Sequence, residues 1–214
     1  MTAQRFDQPL IAIDVAPIAF SAEHGLRTGL ARRQFEPFAG VAALPGVLLG
    51  SQELLQDAAT RALRTKAGIA ASEVRHLMQL GAFDRPDRDP RSQAISIAFV
   101  AIVDPAAQSD AQWFGSADPF DGLPFDHGDI AREALAALRV RLWHDDALTR
   151  ALTGDEFAST TAAALTEAVT GSRPHPGSLR RSLLENPRIE RLDDTLVAHR
   201  GRPATMWRWK PDPT

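Results

Sequence analysis

The sequence contains no cysteine among its 214 residues, and this absence excludes several kinds of site. Disulfides, thiolate nucleophiles and cysteine-ligated zinc sites all require a residue that the chain does not have. No apolar run approaches the roughly 20 residues that span a bilayer. Residues 1–9 also lack the apolar core of a signal peptide. We therefore expect a cytoplasmic protein without a membrane partner.

A large excess of charge of either sign is also missing, because 24 Lys and Arg oppose 27 Asp and Glu, a net charge of −3. The charge is unevenly distributed. Residues 157–210 carry 9 Lys and Arg against 5 Asp and Glu, a net +4, and the rest of the chain carries 15 against 22, a net −7. DNA phosphates are contacted mainly by Lys and Arg. A mildly basic C-terminal third on an acidic body is the asymmetry that a DNA-binding appendage would produce.

The pattern of the first 153 residues predicts a layered domain. Residues 10–20 (LIAIDVAPIAF) predict a strand that is buried but edge-like or bulged near Pro17. A helix is predicted with Ser51 as its N-cap and Gly68 as its stop. Strands are also predicted over 26–32 and 94–103, and a second helix over 125–142, continuing towards Leu152. Strands on both sides of a well-marked helix indicate an α/β or α+β domain.

A new pattern begins at residues 154–157, so we divide the chain into domains 1–153 and 154–214. The second part predicts a helix, a turn, a helix and two short strands, which is the order of a winged helix-turn-helix module. Trp207 and Trp209 alternate with Arg208, so the tryptophans are expected in the core of this module and the arginine in solvent. The predicted elements are helix 157–169, turn 171–176, helix 177–184, and strands within 189–209 around residues 200–203.

Residues 44–69, LPGVLLGSQELLQDAATRALRTKAGI, resemble the Nudix signature G-x5-E-x7-R-E-U-x-E-E-x-G-U, where U is aliphatic. The first glycine position holds Val47, and Gly46 precedes it. Matching positions are Glu53, Arg61, Leu63, Gly68 and Ile69. Three glutamate positions hold other residues, namely Ala62, Thr65 and Lys66. The frame of the motif is kept, but most of its acids are lost.

The lost acids change the expected chemistry. Positions 62, 65 and 66 share one face of a helix, where family members gather carboxylates around magnesium. Ala62 offers no ligand, and Lys66 places a positive charge near the cation position. We therefore predict no hydrolase activity, no catalytic residues, no metal site and no cofactor. Phosphate could still bind beside Lys66 or Arg61, while Glu53 and Arg61 could equally form a simple ion pair.

Three further segments extend the resemblance to residues 9–210. They are DRDPRSQAISIAFVAIV (87–103), LPFDHGDIAREALAALR (123–139) and HRGRPATMWRW (199–209). Together with the box they resemble the Nudix-related transcriptional regulators of NAD metabolism. In these bacterial repressors a non-hydrolytic Nudix domain senses ADP-ribose or a related NAD-derived nucleotide, and a C-terminal winged helix binds DNA. The resemblance implies a Nudix-like sandwich of mixed sheet and helices followed by a small winged helix-turn-helix domain.

The effector site is predicted from residues that suit phosphates and bases. Guanidinium groups pair with phosphates through planar forks, and aromatic rings stack on bases. The arginine-rich loop could also be a solvated surface run, the phenylalanines could be core residues, and the histidine could cap or pack a helix. The predicted ligand-binding residues are Arg32, Arg33, Glu53, Arg61, Lys66, Phe83, Arg88, Arg91, Phe125 and His127.

The predicted DNA contacts lie on the second helix of the C-terminal module and at the hairpin tip. They are Ser178, Arg180, Arg181, Arg200 and Arg202. Gly201 allows close backbone approach and Pro203 stiffens the turn, although the hairpin could also be an ordinary charged one. Acidic residues such as Glu167 and Glu185 lie in the same module. Specific binding to double-stranded operator DNA is therefore expected to need a homodimer.

Two other functions stay open at this stage. One is an active Nudix pyrophosphatase that recruits metal through displaced acids, such as Glu53, Glu73, Asp87 or Asp89. The other is a ligand-binding adaptor whose C-terminal module contacts protein. The sequence does not identify the effector, the operator or the regulated genes, and it leaves open whether the effector releases or strengthens DNA binding.

Overall fold

A computed structural model describes residues 8–197 and 204–211, with side chains for all of these except residues 193–197. No helix among the described residues is long and apolar enough to cross a membrane. The strands are β1 (Leu10–Ser21), β2 (Gly25–Arg32), β3 (Ala42–Ala43), β4 (Gly46–Leu48), β5 (Val74–Phe83), β6 (Ala94–Val103), β7 (Gln112–Gly115), β8 (Glu156–Ala158), β9 (Ile189–Val197) and β10 (Ala204–Trp209). The α-helices are α1 (Leu55–Ala67), α2 (His127–Arg141), α3 (Asp146–Thr153), α4 (Ser159–Thr170) and α5 (Pro176–Glu185).

Strand β1 lies in the middle of the larger sheet. On one side it pairs in parallel with β6, and on the other it pairs antiparallel with β4 over residues 12–14 and with β2 over residues 18–21. The strand order is β3-β2-β1-β6-β5, with β4 beside β1 and β7 beside β2. The prediction that β1 is edge-like is therefore wrong.

Pro17 fits inside this central strand because of a local gap in its pairing. The N–H of Val15 donates to the carbonyl of Pro45, which precedes β4. Backbone N–H directions repeat every second residue in a strand, so the missing N–H of Pro17 belongs to the same side. At that point β1 has left β4 and has not yet joined β2. The proline therefore interrupts no ladder bond.

Helices cover both faces of the larger sheet, as the alternation along β1 requires. Ile18 and Phe20 point into one core with α2, α3 and α4, whereas Ile13 and Val15 point into another with α1. Successive side chains of a strand face opposite sides, so one apolar strand supplies both cores. The predicted layered sandwich of mixed sheet and helices is the result.

Helix α1 begins later than the sequence predicts. It starts at Leu55 without a side-chain cap, so Ser51 is not its N-cap. The carboxylate of Glu53 instead accepts the N–H of Gly50 at 2.7 Å and closes a turn before the helix. The predicted stop is confirmed, because Gly68 adopts a left-handed φ of 68°, which a residue without Cβ tolerates.

The helix predicted over 125–142 and beyond is two helices. Helix α2 ends at Arg141, and Trp143 then takes a left-handed φ of 64°. Asp145 caps α3 by accepting the N–H of Leu148 at 3.1 Å. The apolar pattern runs through the break because both helices pack into the same core. Periodicity alone therefore did not reveal the corner.

The C-terminal residues form a strand, two helices and a hairpin around a sheet of order β8-β10-β9. Phe157, predicted to begin a helix, lies in β8 opposite Trp207. A three-residue strand is too short to show alternation, so the sequence missed it. The second helix, predicted over 177–184, is confirmed as α5. This arrangement is that of a winged helix-turn-helix module.

The module has its own small core. Trp207 and Trp209 are buried there with Leu179 and Leu183 of α5, and Arg208 is exposed, as predicted. Helix α4 joins this core to the larger one, because its Leu165 packs into the core beneath the main sheet. The domain boundary after residue 153 stays a prediction.

Candidate functional site

A cavity of about 460 Å³ opens beside the first half of β1, between β4 and the end of β2. Its size lies within the usual range of small-molecule sites. The walls come from strands, from α1, and from the loops that precede β6 and α2. The lining residues include Ala12, Asp14, Arg32, Arg33, Phe35, Leu44, Gly46, Arg61, Lys66, Arg88, Asp89, Arg91, Phe125 and His127.

A buried ion-pair network forms the floor of the cavity. Arg88 donates from Nε and Nη2 to both carboxylate oxygens of Asp126, at 2.9 and 2.8 Å, and from Nη2 to Asp14 at 3.1 Å. Its side chain is only 3% exposed. The hydroxyl of Ser96 also donates to Asp14, at 2.7 Å. Arg88 was predicted as a phosphate contact. Its Nε and Nη2 instead donate to carboxylates, and it holds Asp14 and Asp126 together beneath the cavity.

His127 connects this network to the backbone just before strand β4. Its Nδ1 accepts the backbone N–H of Leu44 at 2.9 Å, and its Nε2 lies 3.4 Å from Oδ1 of Asp14. An accepting Nδ1 puts the ring proton on Nε2, facing the carboxylate. Burial raises the pKa of Asp14, but the hydrogen bonds from His127 and Ser96, together with the positive charge of Arg88, lower it to about 2 overall. Asp14 is thus a permanent buried anion at neutral pH.

Gly46 is required where β4 crosses this anion. A Cβ at that position would collide with Oδ1 of Asp14. The close backbone approach explains why a glycine stands here, one residue before the first glycine position of the Nudix pattern.

Two arginines face one aromatic ring on the opposite wall. The guanidinium carbons of Arg33 and Arg91 lie 4.7 and 5.9 Å from the ring centroid of Phe125, within cation–π range. Burial and then the positive charge of Arg91 lower the pKa of Arg33. Arg91 is held in place by two hydrogen bonds to the carboxylate of Asp89, at 3.0 and 2.7 Å. The two guanidinium groups suit an anionic part of a ligand, and the ring beside them suits a planar part.

Helix α1 contributes a second pair of cations. Arg61 donates from Nε and Nη2 to Glu53, each at 2.7 Å, and from Nη2 to the carbonyl of Leu48 at 2.9 Å. The hydrogen bonds from Arg61 and Gly50 lower the pKa of Glu53 to about 2. Lys66, five residues further along the helix, has its ammonium 5.7 Å from the ring centroid of Phe35. The cavity is therefore cationic on two sides.

The structure brings eight of the ten predicted ligand residues to the cavity. These are Arg32, Arg33, Arg61, Lys66, Arg88, Arg91, Phe125 and His127. Glu53 is absent from the lining and binds Arg61 beside it, and Phe83 packs against the larger core. Sequence reasoning missed Asp14 and Phe35. A charged residue inside the apolar run LIAIDVAPIAF was the signal for Asp14, whereas an exposed loop phenylalanine gave no signal.

The residues do not fit the magnesium site of Nudix hydrolases. Among the described residues no group of three His, Asp or Glu could hold a metal ion. Ala62 is fully buried against the sheet, and Thr65 donates its hydroxyl to the carbonyl of Arg61 at 2.7 Å. Glu53 is the retained acid of the box, and its oxygens bind Arg61 and Gly50. Hard cations need several free oxygen ligands, which this face lacks.

The predicted DNA-contacting residues of α5 are all on its outer side. Ser178, Arg180 and Arg181 are exposed, because Leu179 and Leu183 turn the opposite side of the helix into the small core. The predicted hairpin-tip contacts, Arg200 and Arg202, lie outside the described residues.

Comparison with known proteins places the chain among Nudix-type folds. No protein-family model matches it. Over 112 residues it is 35% identical to the ADP-ribose pyrophosphatase of Methanocaldococcus jannaschii, a match that covers 49% of the chain and 63% of that enzyme. The chain therefore matches less than two thirds of the length of this relative.

Two solved structures of Shewanella oneidensis NrtR are also similar. NrtR complexed with a 27mer DNA superposes with a TM-score of 0.79 at 22% identity, covering 94% of each chain. The NUDIX domain of NrtR complexed with ADP ribose has a TM-score of 0.55 at 25% identity, covering 62% of this chain and 90% of the domain. These likenesses confirm the predicted fold, a Nudix-type sandwich followed by a small C-terminal module.

Proposed function

We propose that this protein is a ligand-responsive DNA-binding transcriptional regulator that acts as a repressor. The chain has the fold of NrtR along nearly its whole length. Its effector is ADP-ribose or a related NAD-derived nucleotide, and it has no Nudix hydrolase activity. One observation carries this proposal: a cationic, aromatic-lined cavity occupies the Nudix fold, and the described residues place no group of three metal-ligating side chains in it. The NrtR structures contain DNA in one case and ADP ribose in the other, and they support the choice of DNA as partner and ADP-ribose as effector.

The cavity chemistry suits a nucleoside diphosphate. Arg33, Arg91 and Lys66 supply positive charge on two walls, and Phe125 and Phe35 supply rings. Guanidinium groups bind phosphate oxygens in pairs, whereas a planar ring stacks on a base. A diphosphate flanked by a base and a sugar offers both kinds of group.

Helix α2 connects this cavity to the DNA-binding module. His127 and Asp126 at its beginning belong to the cavity network, and Arg139 in its last turn donates to the carbonyl of Val169 in α4 at 3.2 Å. Helix α4 is the first helix of the winged module. A ligand that shifts the beginning of α2 thus acts on a rigid helix that contacts α4. This contact gives a physical route by which ligand binding can affect DNA binding.

The proposal includes a homodimer. A single α5 reads a short half-site, and two copies related by a two-fold axis read a palindrome with the affinity that specific binding needs. Sedimentation of the purified protein with and without operator DNA measures this.

The direct experiment is a gel shift with the DNA upstream of the protein's own gene, titrated with ADP-ribose. We expect a retarded complex whose amount changes with ADP-ribose. Arg33→Ala combined with Arg91→Ala should raise the ADP-ribose concentration needed by about a hundredfold or more, because each hydrogen bond to a charged group contributes about 1.5–3 kcal/mol and 1.4 kcal/mol is tenfold. DNA affinity without effector should not change.

The matched control is Arg85→Ala combined with Arg132→Ala. It removes the same charge from exposed positions away from the cavity and should leave the response intact. A double variant of Arg33 and Arg91 with an unchanged ADP-ribose response would place the effector site elsewhere.

An alternative function is a Nudix pyrophosphatase, which the 35% identity to an ADP-ribose pyrophosphatase favours. On our proposal, ADP-ribose with magnesium or manganese should give negligible AMP and ribose phosphate. Release at roughly 1–1000 per second, the usual range of enzymes, would establish the alternative instead. Incubation for hours, followed by chromatography of AMP and ribose phosphate, makes the measurement sensitive to slow turnover.

A further inference from the structure

We infer that this cavity binds the diphosphate of its ligand without a divalent cation, with the positive charges of Lys66 and Arg33 in the role that metal has in Nudix hydrolases. The inference deepens the proposed function and rests on its assignment of a nucleoside diphosphate to the cavity. Three observations carry it: the state of the box residues, the balance of charge around the cavity, and the three lining cations that have no carboxylate partner among the described residues.

The box residues offer a metal no free carboxylate. Ala62 has no ligand atom and is fully buried, and Thr65 already donates to a main-chain carbonyl. Glu53 accepts three hydrogen bonds, from Gly50 and twice from Arg61. Lys66 occupies the remaining position, lines the cavity and faces Phe35. An ammonium group therefore stands on the face where family members hold the cation.

The excess of positive charge around the cavity also disfavours the binding of a cation there. Its lining contains six Lys and Arg but only two acids, Asp14 and Asp89. Asp14 is bound to Arg88, and Asp89 is bound twice to Arg91. Both carboxylates of the lining are thus already paired with arginines. An incoming diphosphate instead meets uncompensated positive charge.

Three cations of the lining lack a carboxylate partner among the described residues. Arg32 donates to the carbonyl of Gly40, and Arg33 donates to the carbonyls of Pro37 and Phe35. Lys66 contacts an aromatic ring. Like charges held together without an anion repel one another, so a bound diphosphate stabilises the wall that holds it. The protein supplies the counter-charge that magnesium supplies elsewhere.

The test is calorimetric titration of the full chain with ADP-ribose, once with excess EDTA and once with excess magnesium chloride. We expect the same Kd in both. Lys66→Ala should weaken binding in EDTA by about tenfold to a hundredfold, the effect of losing one charged hydrogen bond. Lys66→Glu, which restores the acid of the family pattern, should weaken it further, and magnesium should not rescue it because Ala62 and Thr65 supply no carboxylate.

Arg64→Ala is the matched control, because this exposed cation lies on the same helix but does not line the cavity. It should bind ADP-ribose like the unmodified protein, and thermal unfolding should show that all variants are folded. Binding that requires magnesium overturns the inference. So does a Lys66→Ala variant with unchanged affinity in EDTA.

Inorganic pyrophosphate serves as a second probe and separates this inference from the proposed function. If pyrophosphate binds in EDTA and Lys66→Ala weakens it while ADP-ribose does not bind, the metal-free diphosphate site stands and the proposed effector fails. If neither probe binds in EDTA, the inference is overturned. The gel shift then decides independently whether the chain binds DNA.

Discussion

Replacing Arg88 by alanine should lower the free energy of unfolding by about 3–5 kcal/mol, the usual effect of removing one partner from a buried ion pair. The reason is that Asp14 and Asp126 would be left in the interior without their cation. Arg88 is 3% exposed and makes three charged hydrogen bonds to them. Urea denaturation at neutral pH measures the loss directly.

Arg88→Lys should be intermediate, since an ammonium keeps the charge but not the two-pronged contact to Asp126. Arg85→Ala, in the same loop but exposed, should cost less than about 1 kcal/mol. A fully stable Arg88→Ala variant would contradict the assignment of the network as structural. A variant that is both stable and unable to bind ADP-ribose would instead restore Arg88 as a direct phosphate contact.

The pH dependence of this loss has a definite sign. The pKa of Asp14 is lowered to about 2, so its stabilising contribution is complete above the unfolded value of 3.8 and is lost as pH falls from there through 2. Between pH 5 and 7 the unmodified protein gains nothing further from this group. Arg88 is the smallest of the causes that lower the pKa of Asp14, so in Arg88→Ala this pKa rises only in part, and the difference in stability should shrink as pH falls below 3.8.

Removing the two arginines of helix α5 should have the largest effect on DNA binding. Arg180→Ala combined with Arg181→Ala deletes two exposed cations from the helix that enters the major groove in modules of this kind. A good bidentate contact to a base contributes about 1–3 kcal/mol, and a phosphate contact adds about 0.9 to the slope of log K against log salt. Operator affinity should fall by about fivefold to 150-fold per base contact, or the salt slope by up to about two.

Arg85→Ala combined with Arg132→Ala is again the control, because it changes net charge equally on another surface. Binding of ADP-ribose should be unchanged in the α5 variant, since α5 does not line the cavity. Normal operator binding by the α5 variant across a salt titration would show that the C-terminal module has a different partner, as an adaptor would.

Much of the fold could be predicted because its signals are local. The helix stop at Gly68, the second helix of the C-terminal module (α5) and the alternating Trp207 and Trp209 depend on backbone propensity or on periods of two and 3.6 residues. The errors arose where neighbours overrode local signals. Glu53 holds a turn that displaces Ser51 as a cap, and a corner at Trp143 is hidden by an apolar pattern that runs through it.

The candidate site divides in the same way. The sequence identified the cations of the Nudix box and of the 88–91 loop, because residue type at a motif spacing is sufficient for that. It could not distinguish Arg88 from Arg91. Both are arginines in one polar loop, yet one is bound by two buried carboxylates from distant strands and helices, and the other faces Phe125 beside Arg33.

By itself, then, the sequence determined the Nudix frame, the loss of its glutamates and the order of a winged helix, since each is a property of residue identity along the chain. Only the tertiary structure decided which charges are compensated. Asp14 and Arg88 are 74 positions apart, and Leu44 and His127 are 83 apart. Pairing across such distances depends on strand order and register, which no local pattern encodes. The same packing leaves Arg33 and Lys66 without carboxylate partners among the described residues, and these are the cations to which we assign the ligand.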